Sequence, residues 1–178
     1  REGLELTFAT NVLAPFVITS MLLPLLLQTQ RSRIVIASSI SQTQVIREWD
    51  DMHYKTRPYD AHVAYGESNL LAAMLCMELS DRLLKKGIET YQVTCNCLDP
   101  GTVNTKLLLA GWGPCGIDVS AALDETWICS SKDVGNTTGK YFVYRTEHGS
   151  TKTYKQSDRD KMWRLLSGLA PEMAKVWN

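Results

Sequence analysis

Apolar residues run almost unbroken from Val12 to Leu27, gather into a short β-branched burst at Ile34-Val35-Ile36, return with a helical period from Leu70 to Leu84, and gather again before Asp99. The first run predicts one long helix from Leu4 to Leu27, distorted where Pro15 removes a backbone donor. Asn11 opens that run and is the one polar group expected to be buried in it, hydrogen-bonded to a neighbouring carbonyl. Arg33 to Ser39 reads as a buried parallel strand with no hydrophilic face, so Ser38 and Ser39 fall at its carboxyl end. From Ala61 to Lys86 a broad apolar stripe marks a second long helix, which Gly87 stops. Tyr91 to Leu98 is a second buried strand, and it ends in the turn Asp99 to Thr105.

Strand, helix, strand is a right-handed crossover, which sets the carboxyl ends of both strands side by side. In open α/β sheets ligands bind at that end, so a serine there and a tyrosine on the following helix meet over one substrate. Between them, Ile40 to Asp60 shows no periodicity, and a connection of that length is functional or ordered by its own packing. Lys106 to Gly116 mixes Leu107, Leu108, Leu109 and Trp112 with glycine and proline breakers and reads as a mobile apolar flap. A short helix is expected over Val119 to Cys129, a turn over Gly135 to Gly139 and a third strand over Lys140 to Tyr144. An amphipathic helix runs from Gln156 and closes before Pro171, and no internal repeat interrupts the chain.

Composition narrows the class without naming a chemistry. With 178 residues, 44% of them hydrophobic and 21% charged, residues 1–178 make a single domain able to bury a core. Nineteen basic and 19 acidic side chains cancel, and no basic run occurs, which argues against a nucleic-acid partner. The apolar run falls short of the roughly 20 residues of a transmembrane span and holds two prolines, so a core helix and a cytoplasmic protein are expected. The five cysteines lack the paired spacing of a zinc or redox site and are read as reduced, buried packers, with no metal. Because the chain opens at Arg1, already close to a helical pattern, a missing upstream segment is expected.

Asn11, the strand end Ile36-Ala37-Ser38-Ser39, Tyr65 with Ser68, and the turn Pro100-Gly101-Thr102-Val103-Asn104-Thr105 together resemble the short-chain dehydrogenase/reductase family, in its order and spacing. Asp50-Asp51 and the His62-x-Ala64-Tyr65 run look most like its retinol-dehydrogenase branch. The resemblance implies the C-terminal part of such a domain, an incomplete doubly wound (Rossmann-like) α/β parallel sheet with flanking helices. It implies that Tyr65 exchanges a proton with the substrate oxygen, that Ser39 polarises that oxygen and that Asn11 holds a relay water. Pro100, Gly101, Val103 and Thr105 would face the nicotinamide of NADP or NAD, and the two long helices would form a homodimer contact.

Two departures shape the expected function. The family's tyrosine is followed four residues later by lysine, on the same helix face; here that position is Asn69, which can hold a ribose hydrogen bond but carries no charge. A charge pair about 4 Å apart near a surface is worth roughly 4 kcal/mol, near a thousandfold in rate. Nor does the family's glycine-rich cofactor loop occur in the sequence, and with the strands around it absent, one hydrophobic sheet edge is expected to stand open as a pairing site. The expectation is therefore an NAD(P)-dependent oxidoreductase type acting on an apolar alcohol or carbonyl of retinoid, steroid or lipid kind, impaired in this chain. The alternative is a truncated product, or a non-catalytic protein that keeps the fold for interaction.

Overall fold

A computed structural model describes residues 3–148 and 154–178; the opening at Arg1 lies outside them. The predicted crossover is present. Strand β1 (Ser32–Ala37) runs parallel to β2 (Val93–Leu98), pairing Ser32 with Val93 through to Ala37 with Leu98. Strand β3 (Tyr141–Val143) is parallel to β2 on its other side. A fourth strand, β4 (Thr146–Glu147), returns antiparallel through a tight turn in which Tyr144 and Arg145 both take positive φ, giving the sheet order β1-β2-β3-β4. Sequence periodicity misses β4 because two residues are too few to show any.

The N-terminal helix spans Leu6–Gln28. Its distortion is a wide π turn over Ala9–Leu13, where the Ala14 N–H reaches back to the Ala9 carbonyl just ahead of Pro15. An extra residue in the turn absorbs the missing donor, so the helix continues past the proline. Asn11 is half-buried, and the fully buried polar groups on this helix are Thr19 and Ser20 instead. Asn11 lies within this π turn, and its amide meets Ser68 on the central helix rather than a neighbouring carbonyl.

The central helix, Ala61–Lys85, starts at Asp60, whose carboxylate accepts the His62 and Val63 N–H groups. It stops at Gly87, φ +73°, where the Ile88 N–H reaches the Leu83 carbonyl. From Gly66 to Ser80 every residue is buried, so this helix has no free apolar stripe. A C-terminal helix packs against it, and a second packs against the N-terminal helix. Gln156–Leu169 packs Met162, Trp163 and Leu166 inward, and the further helix Pro171–Lys175, which the sequence pattern missed, seats Trp177 with its Nε1 donating to Ser20 Oγ at 2.8 Å.

These helices form one layer against the sheet; Leu98 and Phe142 on the other face pack with Ile128 and Val134. That second layer is thin, and the expected double burial of β1 is not found. Its residues alternate between buried and partly exposed, Ile34 and Ile36 pointing into the core and Ala37 exposed. Strand β1 is the sheet margin, where only the helix layer covers it fully. The helix expected over Val119 to Cys129 is split into a 3-10 turn, Val119–Ala121, and a helix, Asp124–Ser130. Of the cysteines, Cys76, Cys95 and Cys97 are buried as expected, while Cys115 and Cys129 are exposed; all five are free thiols. Among the described residues no cluster suited to a metal ion occurs.

Candidate active site

The carboxyl ends of β1 and β2 are tied to each other before any functional side chain is added. The buried Asp99 carboxylate accepts the Ile40 N–H at 3.0 Å, and the Ser38 N–H donates to the Leu98 carbonyl at 2.8 Å. The chain leaving β1 turns back over the first turns of the central helix. There the Thr43 N–H donates to the Gly66 carbonyl at 3.2 Å. A Cβ on Gly66 would lie 2.8 Å from Thr43 Cγ2 and 3.0 Å from the Ser41 carbonyl oxygen, so glycine is what lets the serine turn sit against the helix beside Tyr65.

The two serines separate cleanly by their hydrogen bonds. Ser38 Oγ donates to the Asn69 carbonyl at 2.8 Å and accepts from Gln42 Nε2 at 3.1 Å, so its hydroxyl is spent on structure. Ser39 Oγ accepts the Ser41 N–H at 3.1 Å, which leaves its proton available to a substrate oxygen. Gln42 Oε1 in turn accepts from the Tyr154 phenol at 2.8 Å, binding the serine turn to the C-terminal segment. Burial pushes the Tyr154 and Tyr141 phenols above the usual tyrosine value, so both stay neutral.

Tyr65 is half-buried near the start of the central helix. Its carbonyl accepts Ser68 Oγ at 2.8 Å and Asn69 Nδ2 at 2.9 Å. Asn11 Nδ2 donates to Ser68 Oγ at 3.0 Å, so Asn11 braces the Tyr65 turn through Ser68. Asn69 is buried at 3% exposure, and its amide is folded back onto its own helix instead of extending toward a ligand. A short buried amide takes the nearest carbonyl, one turn back, and here that bond already uses the side-chain N–H with which Asn69 could meet a ribose.

The turn after β2 divides the expected cofactor residues. Pro100 and Gly101, with Thr102, line a cavity of about 470 Å³ that Cys115, Ile117 and Tyr144 close on the far side. Val103 is buried in a bridge to Ile117, and Thr105 caps the short helix Lys106–Gly111. The flap has a fixed base: Asn104 exchanges two hydrogen bonds with Gly116, both 2.8 Å, while Leu107 and Trp112 stand exposed at its tip. Trp112 meets His62, in the first turn of the central helix, edge to ring at 5.9 Å.

Of the expected cofactor and catalytic residues, Pro100 and the positive-φ Gly101 (+78°) line this cavity, while Val103, Thr105, Ser39 and Tyr65 do not. Among the described residues nothing comparable is offered to a pyrophosphate, since Asp60 already occupies the N-terminus of the central helix.

Sequence reasoning missed a buried clamp two residues beyond Tyr65. Glu67, with a side chain 4% exposed, takes both ends of the Arg57 guanidinium at 3.1 and 2.7 Å and the Tyr54 phenol at 3.0 Å. The Glu67 contact raises the Arg57 pKa, and burial raises that of Tyr54. Asp51 orders the same loop by accepting the N–H groups of Lys55, Thr56 and Arg57, and the Arg57 N–H first among them holds its carboxyl well below the usual range. The available signal was a glutamate, one of two with Glu78, on an apolar helix, which needs a cation from elsewhere.

No protein-family model matches the chain. It is 29% identical over 158 residues to mouse retinol dehydrogenase 13, covering 80% of this chain and 46% of that one. It is 29% identical over 180 residues to human retinol dehydrogenase 14, covering 93% and 52%. The chain thus spans about half the length of these curated relatives. Among solved structures, an uncharacterised protein from Mycobacterium paratuberculosis superposes with a TM-score of 0.69 at 21% identity, over 94% of this chain and 58% of that one. A short-chain dehydrogenase from Salmonella enterica gives 0.58 at 20%, over 78% and 51%. The landomycin C-6 ketoreductase LanV, crystallised with NADP and rabelomycin, gives 0.50 at 22%, over 76% and 48%.

Proposed function

Because this chain has the sequence character of the retinol dehydrogenases and the fold of the short-chain dehydrogenases, as an incomplete Rossmann-like α/β unit, we propose that it is a nicotinamide-dependent oxidoreductase type whose site keeps its geometry and has lost most of its rate. The observation that carries the reading is the serine turn seated on Gly66 beside Tyr65, at the joined carboxyl ends of β1 and β2.

When bound, NADP or NAD supplies a hydride to a carbonyl carbon or takes one from an alcohol. Ser39 donates a hydrogen bond that polarises the substrate oxygen and keeps its proton, and Tyr65 gives or removes the one proton that the oxygen gains or loses. Pro100 and Gly101, which line the cavity, would hold the nicotinamide. Asn69 supplies no charge beside Tyr65, and this is the basis of the impaired rate. The exposed Leu107 and Trp112 on the flap, with the retinol dehydrogenases as relatives, favour an apolar alcohol or carbonyl as substrate. The proposal includes a cytoplasmic setting, in keeping with five free thiols.

Thermal unfolding with and without NADPH or NADH tests the cofactor half of this reading. A cofactor-dependent rise in midpoint supports it. No rise with either nucleotide at millimolar concentration contradicts it.

A further inference from the structure

The hairpin that joins β3 to β4 turns in two residues, Tyr144 and Arg145, at φ +48° and +61°. A two-residue turn of that hand is the usual place for asparagine and glycine, and a tyrosine in it is strained. Packing does not offset the strain: among the described residues Tyr144 is 73% exposed, while Tyr141, Phe142 and Val143 just before it are buried. Nor do the ion pairs that brace the hairpin, Arg145 with Asp124 at 2.7 Å and Lys140 with Glu147 at 2.6 Å, since all four side chains are 24% exposed or more and such pairs contribute little. Strain that nothing local offsets marks a residue placed for a task outside the hairpin.

What the turn places is the Tyr144 ring, on the wall of the cavity of about 470 Å³. Its Cε1 lies 4.0 Å from where a Cβ on Gly101 would stand, so the ring and the turn after β2 form one wall together. The other walls are tied to this one. The Ile117 N–H donates to the Thr102 carbonyl at 2.9 Å, which holds the base of the flap to the β2 turn. Asp124, which opens the helix Asp124–Ser130, accepts from Arg145 Nε at 2.7 Å, which joins that helix to the hairpin. The cavity is therefore formed before any ligand arrives, and its volume lies in the range of small-molecule sites. Asp124 is the charged group on its lining, and Arg145 meets that charge; Ile117, Leu123 and the Tyr144 ring make the rest largely apolar.

We infer that Tyr144 is a binding residue, and that its ring is the surface against which a flat, uncharged, conjugated ring stacks inside this cavity. An aromatic ring selects such a partner through offset or edge-to-face contact. A cavity whose one carboxylate is already paired selects an uncharged ligand, because a charged one would enter without a counter-charge. Two sources share this chemistry: the dihydronicotinamide ring of a reduced cofactor and the ring of an apolar carbonyl substrate. Both sources come from the functional reading above, but the stacking site does not. It concerns binding alone, whether or not Ser39 and Tyr65 turn a substrate over.

Prodan, a flat uncharged naphthalene ketone whose emission moves to the blue in an apolar site, is titrated against the 178-residue chain. The expected result is saturable binding. Displacement by N-methyl-dihydronicotinamide assigns the cavity to the cofactor ring, and binding that resists it assigns the cavity to the substrate ring. Tyr144→Asn, which suits a positive φ, is expected to weaken prodan binding about tenfold, the worth of one aromatic contact, and to raise the thermal midpoint by about 2–4 °C. Tyr144→Phe keeps the ring and is expected to bind as the native chain does, with no rise in midpoint. A ring that serves only to hold the hairpin gives the opposite sign, a lower midpoint for Tyr144→Asn, and that result overturns the inference. So does a native chain that shows no saturable binding of prodan, or a Tyr144→Asn chain that binds it as tightly as the native one. No turnover is read here, so a failure of the active-site reading leaves the outcome unchanged.

Discussion

Replacing Arg57 with leucine removes the only cation held, among the described residues, against Glu67, a carboxylate whose side chain is 4% exposed. Two charge-assisted bonds, 3.1 and 2.7 Å, go with it, leaving the carboxylate with the neutral Tyr54 phenol at 3.0 Å. Breaking a buried pair from one side costs about 3–5 kcal/mol. Because Arg57 is itself 18% exposed, some water reaches the gap, and the lower end, about 3 kcal/mol, applies. For a chain of this size that lowers the melting midpoint by about 6–12 °C.

Two companion variants fix the cause. Glu67→Gln leaves an arginine that is already partly hydrated and costs less, about 1–2 kcal/mol. Arg57→Leu with Glu67→Leu leaves no stranded charge and lies within about 1 kcal/mol of the native chain. Calorimetry on the three proteins gives the order. A midpoint for Arg57→Leu within about 2 °C of native, or a double variant less stable than Arg57→Leu alone, refutes the reasoning.

The same structure makes further predictions. The His53 imidazole is held below its usual value by burial and then by Lys55, and its Nδ1 accepts the Glu5 N–H at 3.3 Å. The folded chain therefore resists a protonation that the unfolded chain accepts. Its stability contribution is complete above about pH 6.5 and is lost as pH falls below that, and His53→Gln flattens this slope in urea melts taken at several pH values. Gly66→Ala sets a helix gain of about 1 kcal/mol against a Cβ 3.0 Å from the Ser41 carbonyl; the contact wins, giving a net loss of about 1–2 kcal/mol and faster amide exchange over Ser39 to Thr43. Trp177→Phe removes the donor to Ser20 Oγ from a site 2% exposed and lowers stability by about 1–2 kcal/mol in the same melts.

The parts of the fold that were legible in the sequence are those that declare themselves over many residues. The central helix and the two parallel strands followed from long or continuous apolar runs, and Pro15 located the helix distortion, though not its form as a π turn. What stayed hidden depends on partners far along the chain. Nothing local to the central helix shows that the C-terminal helix Gln156–Leu169 packs against it, and nothing local to Glu67 supplies Arg57 as its cation. At the site, type and order of residue pointed to Ser39 and Tyr65, and local geometry added that of the two serines at the strand end only Ser39 keeps a free proton. Asn69 was legible as an uncharged residue in a lysine position, but its burial against the Tyr65 carbonyl was not, because an asparagine reads alike whether it extends or folds back.

The central claim is a retained site with a lost charge, and the rate of NADPH oxidation by the 178-residue chain with an apolar aldehyde or ketone tests it most directly. The account predicts a turnover about a thousandfold below the ordinary range of about 1–10³ s⁻¹, with the residual rate abolished by Tyr65→Phe. Turnover inside the ordinary range, or a residual rate indifferent to Tyr65→Phe, would contradict it.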